Sequence, residues 1–141
     1  MTIADLSGFS QAFEREIARS RRGNYPLCAL CVDLVSASDA LIDRVESALD
    51  SAARSSDVAM RSSTEEFVVL LPETTSEGAE ILARRLQETL VESLWNPSES
   101  AITVGFAQFV PSMEGSALLL AAREAVVQAR AFDFDARHSA R

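Results

Sequence analysis

Cysteine is scarce in this 141-residue chain, which contains Cys28 and Cys31 and no others. Their C-x-x-C spacing is compatible with a redox or metal-binding pair. However, both fall within an apolar run that is typical of a buried strand, and positions three apart on a strand point to opposite faces of the sheet. We therefore expect two buried, unpaired thiols of the kind found in a reducing compartment.

Long apolar runs and an excess of basic charge are also missing. No run approaches the roughly 18 residues needed to cross a bilayer, and the N-terminus lacks the layout of a signal peptide. With 13 basic and 21 acidic residues the net charge is −8, which argues against nucleic acid or an anionic membrane as a partner. A small anionic ligand remains possible where a few arginines converge. The sequence thus predicts a cytoplasmic protein.

The residues that are present form the pattern of one globular domain, with 48% hydrophobic and 24% charged residues. Phe9, Phe13 and Ile17 recur at helical spacing, and the apolar run from Leu27 to Leu34 predicts a strand covered on both faces. The predicted order is helix, strand, helix, strand, strand, helix, strand, helix. Its β-α-β-β-α-β core predicts an α+β, ferredoxin-like fold with an antiparallel sheet covered by helices and an extra N-terminal helix.

The predicted boundaries place the N-terminal helix in residues 1–24, the core domain in 25–134 and a tail in 135–141. Ser38 is predicted to cap the second helix, and Thr74 or Ser76 the third. Asn96-Pro97-Ser98 breaks the helical pattern before a further strand, Ile102 to Val110.

The most informative stretch runs from Arg54 to Leu71. It predicts a β-hairpin, because Val58-Ala59-Met60 and Phe67 to Leu71 flank a polar cluster. The motif Ser63-Thr64-Glu65-Glu66-Phe67 and its apolar flanks resemble the signature hairpin of the GGDEF family of diguanylate cyclases. The similarity extends to the strand Ile102-Thr-Val-Gly-Phe-Ala and to the helix Ala122-Arg-Glu-Ala-Val-Val-Gln-Ala-Arg. This resemblance implies the palm-like core of nucleotidyl cyclases.

The resemblance also implies where a catalytic site would lie. Asp33 and Glu65 match the two positions that hold divalent metals in the family, and magnesium prefers such hard oxygen ligands. The two signature glycines are replaced by Ser63 and Thr64, which would be strained in the left-handed backbone that glycine adopts freely.

Two further departures concern the nucleotide itself. The family's guanine-reading loop has no room between Asp33 and Asp39. Arg130 matches a phosphate-binding lysine, but the arginine position that follows is Phe134. We therefore expect a degenerate domain with no catalytic residues, in which Asp33 and Glu65 are remnants, and with no cofactor beyond weak magnesium binding.

The product site of the family, which binds cyclic di-GMP, is better matched. The family's Arg-x-x-Asp element corresponds to Arg54-Ser55-Ser56-Asp57, and an arginine on the next helix corresponds to Arg85. Guanidinium groups donate paired hydrogen bonds to phosphate or to the guanine edge, and a carboxylate accepts from guanine nitrogens. The resemblance thus implies a cyclic di-GMP receptor whose ligand-binding residues are Arg54, Asp57 and Arg85.

Other interpretations remain open at this stage. Arg54 and Asp57 could serve only the local turn, and Arg85 could lie on a solvated helix face. A protein-interaction module is the first alternative, with the Phe9, Phe13 and Ile17 stripe as its surface, although core packing explains such stripes more commonly. A residual enzyme using Asp33, Glu65 and Arg130 is the second. The expected partners are cyclic di-GMP and either a second copy of the chain or another protein.

Overall fold

The computed structural model describes the backbone of residues 1–35, 38–92 and 102–139, and their side chains except those of 91–92 and 131–139. The helices and strands run in the following order: β1 Thr2–Ile3, α1 Leu6–Gly23, β2 Leu27–Leu34, α2 Asp39–Ala52, β3 Val58–Ser63, β4 Glu66–Pro72, α3 Ser76–Glu92, β5 Ile102–Gln108 and α4 Gly115–Ser139. None of the helices in these ranges is long and apolar enough to cross a membrane.

The strands in these ranges form one sheet in the order β1-β3-β4-β2-β5. Neighbouring strands of the core are antiparallel, and the order of β2, β3, β4 and β5 is that of the predicted ferredoxin-like fold. The prediction of an α+β core is confirmed. The short strand β1 was not predicted; it pairs with β3 in parallel and makes the sheet mixed. Two residues are too few to show the alternation by which a strand is recognised.

Side chains alternate along β2 and divide the core into two clusters. Cys28, Leu30 and neighbours at even positions pack against α2 and α3, whereas Cys31 and Ala29 pack on the opposite face with α1 and α4. Both cysteines are buried and free, as predicted. Burial raises the pKa of the Cys28 thiol to about 12, so this thiol stays protonated and unreactive at neutral pH.

The apolar stripe of α1 belongs to the second cluster. Phe9 and Ile17 are buried there, and Phe13 is packed against it. These residues therefore pack in the core, which is the commoner explanation of such a stripe, and they offer little surface to a partner. Helix α1 ends at Gly23 and is capped by Asn24, which adopts the left-handed conformation typical of the residue after a helix.

The N-terminal cap of α2 agrees with the prediction, whereas that of α3 differs from it. Ser38 caps α2 as predicted, because its hydroxyl accepts a hydrogen bond from the Leu41 backbone N–H at 3.1 Å. Helix α3 is capped by Thr75, whose hydroxyl accepts from the Gly78 N–H at 3.2 Å. The prediction of Thr74 or Ser76 was wrong by one residue. Serine and threonine are both favoured as N-caps, so the sequence does not distinguish between adjacent hydroxyl residues.

Two predicted segments fall near the limits of the described ranges. The break at Asn96-Pro97-Ser98 lies outside the described residues. Helix α4 continues to Ser139 and so runs through most of the segment that was predicted as a tail.

Gly105 on β5 lies where α4 crosses the sheet. A Cβ at this position would lie 2.5 Å from the Val126 backbone nitrogen and 2.8 Å from the Ala122 carbonyl oxygen. Gly105→Ala is therefore expected to push α4 outward and to lower the free energy of unfolding by about 1–3 kcal/mol. Chemical denaturation measures this loss. The matched control is Gly115→Ala, whose Cβ would only touch Ile17 at 3.6 Å and should leave stability unchanged; equal stability in both variants would contradict the packing described.

Candidate functional site

The tip of the β3–β4 hairpin carries the signature-like residues. Thr64 and Glu65 form the turn, and the strand register shifts between Arg61 and Ser63. Two-residue hairpin turns usually need a positive φ, but neither Ser63 nor Thr64 nor Glu65 has one. The hairpin therefore closes with an irregular register and without the left-handed backbone that the replacement of glycine would strain.

Glu66, directly after the turn, is held by three side chains. Arg123 of α4 donates from Nε to Oε2 at 3.0 Å and from Nη2 to Oε1 at 2.8 Å. The Ser62 hydroxyl donates to Oε1 at 2.5 Å, and the Cys31 thiol donates to Oε2 at 3.3 Å. Burial by itself would raise the pKa of Glu66, but the hydrogen bonds from Arg123, Ser62 and Cys31 outweigh it and hold that pKa below its ordinary value.

Asp33 lies opposite Glu66 in the register of β2 and β4. Its Oδ2 forms an ion pair with Nη2 of Arg130, one of the residues singled out from the sequence. Like charges on opposed strand positions repel each other, and Arg123 and Arg130 relieve this repulsion. They are seven residues apart and so lie on the same side of α4. Sequence reasoning missed Arg123, although its seven-residue spacing from Arg130 could have indicated that the two arginines share one side of the helix. The Phe134 side chain lies outside the described residues.

These carboxylates do not fit the metal site that the resemblance implied. The carboxylate of Asp33 is engaged by Arg130. Glu65 is exposed, and the contact that ties it to β2 is made by its backbone carbonyl, which accepts from the Leu34 N–H at 2.7 Å. Among the residues whose side chains the structure describes, no group of three His, Cys, Asp or Glu could hold a metal ion.

The predicted Arg-x-x-Asp element forms the connection between α2 and β3. The Asp57 Oδ2 accepts from the Arg54 N–H at 2.8 Å, and the Asp57 N–H donates to the Arg54 carbonyl at 3.1 Å. The Arg54 guanidinium reaches the turn after β4, where Nη2 donates to the Pro72 carbonyl at 2.9 Å and also contacts Thr74 Oγ1. Its Nε and Nη1 have no partner among the described residues. Arg54 thus links the α2–β3 connection to the β4–α3 turn, and its Nε and Nη1 donors are available to a ligand.

Arg54, Asp57 and Arg85 line one cavity of about 390 Å³ between the end of α2, the β4–α3 turn and α3. Arg85 is exposed and has no hydrogen-bond or ion-pair partner in the described part of the chain. Its neighbour Arg84 instead pairs with Glu80 at 3.1 Å. The structure therefore brings together the three residues that were predicted as a ligand site.

Asp57 is only 2% exposed, which is unusual for a carboxylate. Its Oδ1 is buried without a hydrogen-bond partner among the described residues. Burial raises the pKa of Asp57, while the Arg54 N–H and the Arg54 charge partly oppose this shift. A buried acceptor without a donor costs free energy.

The β4–α3 turn that borders the cavity contains a residue in an uncommon conformation. Glu73 has φ of 50°, which is left-handed. Its carboxylate accepts from Arg19 Nη2 of α1 at 2.6 Å, and its carbonyl accepts from Arg54 at 3.4 Å. Sequence reasoning missed both Arg19 and Glu73, because left-handed positions are recognised through Gly or Asn and not through Glu. Two arginines thus hold this turn from opposite sides.

Comparison with known proteins gives one family and a set of similar folds. Residues 4–134 match the family model described as "Diguanylate cyclase, GGDEF domain". A search of curated protein sequences found no significant match.

Solved structures with this fold include three from bacteria. The diguanylate cyclase SiaD from Pseudomonas aeruginosa, in complex with its activator SiaC, superposes with a TM-score of 0.76 at 20% identity over 89% of this chain. This chain spans only 54% of the SiaD chain. The GGDEF domain of DgcB from Caulobacter crescentus, in complex with c-di-GMP, gives 0.74 at 21% identity, covering 93% of this chain and 85% of that one. An active GGEEF domain of a Vibrio cholerae diguanylate cyclase gives 0.73 at 18%, covering 84% and 85%.

Proposed function

The chain belongs to the GGDEF-domain family of diguanylate cyclases, and we propose that within this family it acts as a cyclic di-GMP receptor and not as a cyclase. The observation that carries this proposal is the convergence of Arg54, Asp57 and Arg85 on one cavity. A solved relative of the same fold, the GGDEF domain of DgcB, was obtained with c-di-GMP. The ligand is therefore one that this fold accommodates.

Each of the three residues has a chemical role that suits half of a cyclic dinucleotide. The free Nε and Nη1 donors of Arg54 can meet a phosphate or the O6/N7 edge of guanine. The carboxylate of Asp57, which lines the cavity, can accept from guanine N1 or N2 once the side chain turns its buried Oδ1 toward the ligand. Arg85, which has no partner of its own in the described part of the chain, can neutralise phosphate. In a chain with a net charge of −8, Arg54 and Arg85 supply a local positive charge for an anionic ligand.

Loss of catalysis is supported at the other side of the molecule. Asp33 is paired with Arg130, and the hairpin tip carries Ser63 and Thr64 in place of the signature glycines. Phosphoryl transfer depends on positioning a nucleotide against such groups. We expect no cyclic di-GMP to form when the protein is incubated with GTP and either Mg²⁺ or Mn²⁺.

Isothermal titration tests the receptor function. Cyclic di-GMP titrated into the purified protein is expected to bind with a dissociation constant in the micromolar range or tighter, and GTP with magnesium is expected not to bind. The reverse result, binding of GTP and not of cyclic di-GMP, would refute the proposal. Binding of neither would favour the interaction module, whose partner would then be sought by pull-down.

Asp57→Asn separates a ligand-binding role from a role in the turn. Asparagine keeps an oxygen for the Arg54 N–H but loses the second acceptor, so we expect binding of cyclic di-GMP to weaken by about tenfold or more. The free energy of unfolding at pH 7 should not fall, because the buried charge of Asp57 opposes folding. The exposed Asp50→Asn on α2 serves as the control.

The pH dependence of this variant gives a second check. The pKa of Asp57 is raised in the folded state above its ordinary value of 3.8. The wild-type protein therefore gains stability relative to Asp57→Asn as the pH falls through the raised pKa toward 3.8. Urea unfolding at several pH values measures this change. A variant that is less stable at pH 7 but binds normally would show that Asp57 serves only the turn.

A further inference from the structure

A second cavity lies beside the first, between α2 and α3. It has a volume of about 620 Å³ and shares Ala52 and Arg85 with the cavity of Arg54 and Asp57. The two cavities are thus neighbours along one groove, with Ala52 and Arg85 at their boundary.

The second cavity repeats the kinds of group found in the first. Leu86 and Leu90 are almost fully buried and form an apolar floor. Asp43 of α2 and Glu88 of α3 line it as well, and neither has a hydrogen-bond or ion-pair partner among the described residues. An apolar surface next to carboxylate acceptors suits a flat base that carries N–H donors, as guanine does.

We infer that this second cavity takes the other guanine of the same cyclic dinucleotide, with Arg85 between the two bases at the phosphates. This inference rests on the proposed function and adds to it a mode of binding. A cyclic dinucleotide consists of two equal halves joined by two phosphates. The groove offers a carboxylate-lined cavity on each side of Arg85, so one ligand can occupy it within one chain. Binding as a stacked pair that bridges two chains would not need the second cavity.

Two exposed positions allow the second cavity to be changed without touching the first. Ser47→Trp places an indole in the cavity between α2 and α3, and Glu88→Ala removes an acceptor while adding no bulk. The matched control is Ser10→Trp, at an exposed position of α1 on the other face of the sheet. Circular dichroism and thermal melting of the three variants report whether each retains the fold.

Isothermal titration with cyclic di-GMP then decides the matter. We expect one ligand per chain for the wild type, a loss of affinity of about tenfold or more in Ser47→Trp and in Glu88→Ala, and unchanged affinity in Ser10→Trp. Unchanged affinity in either of the first two variants, or two ligands per chain, overturns the second subsite while leaving the receptor function intact. Absence of binding to the wild-type protein overturns the receptor function and the subsite together.

Discussion

Replacement of Arg54 by alanine is expected to weaken the binding of cyclic di-GMP by about a hundredfold or more. The guanidinium offers Nε and Nη1 to a ligand while Nη2 donates to the Pro72 carbonyl. Each charge-assisted hydrogen bond is worth about 1.5–3 kcal/mol, and two such bonds account for a loss of this size. Isothermal titration of wild type and variant under the same salt conditions gives the ratio.

The control for this result is Arg84→Ala, which removes a cation of the same kind from α3. Arg84 pairs with Glu80 and lines neither of the two cavities. Its loss should leave the affinity for cyclic di-GMP unchanged. Because Arg54 also ties down the β4–α3 turn, thermal melting must accompany the titration. A folded Arg54→Ala protein that retains the wild-type affinity would remove Arg54 from the ligand site.

A large effect on stability is also expected from Arg123→Ala. The Glu66 side chain is 17% exposed and depends on Arg123 for its ion pair. Without this partner a largely buried carboxylate is left with neutral donors. We expect the free energy of unfolding at pH 7 to fall by about 2 kcal/mol, less than for a fully buried pair because Arg123 is 43% exposed.

This loss depends on pH in a defined direction. The pKa of Glu66 is lowered in the folded state, so its stabilising effect is present above the ordinary value of 4.5 and disappears as the pH falls through the lowered pKa. The difference between wild type and Arg123→Ala should therefore shrink in acid. Arg84→Ala again serves as the control, because its exposed pair with Glu80 contributes less than about 0.5 kcal/mol. A loss that persists unchanged in acid would show that Arg123 stabilises the protein through packing alone.

Local patterns in the sequence predicted the helices and strands of the core, and the resemblance to the GGDEF family supported their arrangement. Continuous apolar runs predicted β2 and β4, and helical spacing predicted α1. The burial of Cys28 and Cys31 on opposite faces followed from the two-residue period of a strand.

The features that were missed depend on contacts between distant parts of the chain. Glu73 was not recognised as left-handed, since its conformation is held by Arg19 of α1 and by Arg54. The local sequence makes Thr74 a possible helix cap, but its hydroxyl contacts Arg54, twenty residues earlier in the chain. Such pairings leave no periodic trace in a sequence.

For the candidate site, the sequence and the resemblance supplied the residues but not their arrangement. Arg54, Asp57 and Arg85 were named in advance, whereas the cavity that they share and the unpartnered Asp57 Oδ1 required coordinates. The ion pair between Asp33 and Arg130 joins two residues that had been considered separately as parts of a catalytic site. Its presence changes the interpretation of both, since each satisfies the charge of the other.

The central claim is that cyclic di-GMP binds at the cavity of Arg54, Asp57 and Arg85, and amide chemical-shift mapping by NMR tests it most directly. Addition of the ligand to ¹⁵N-labelled protein is predicted to shift the amide signals of Arg54, Asp57, Thr74 and Arg85, and to leave those of residues 63–66 at the hairpin tip unchanged. Shifts centred on Glu65 and Asp33 with none around Arg54 would contradict the account, because the nucleotide would then occupy the side of the fold that carries the signature hairpin.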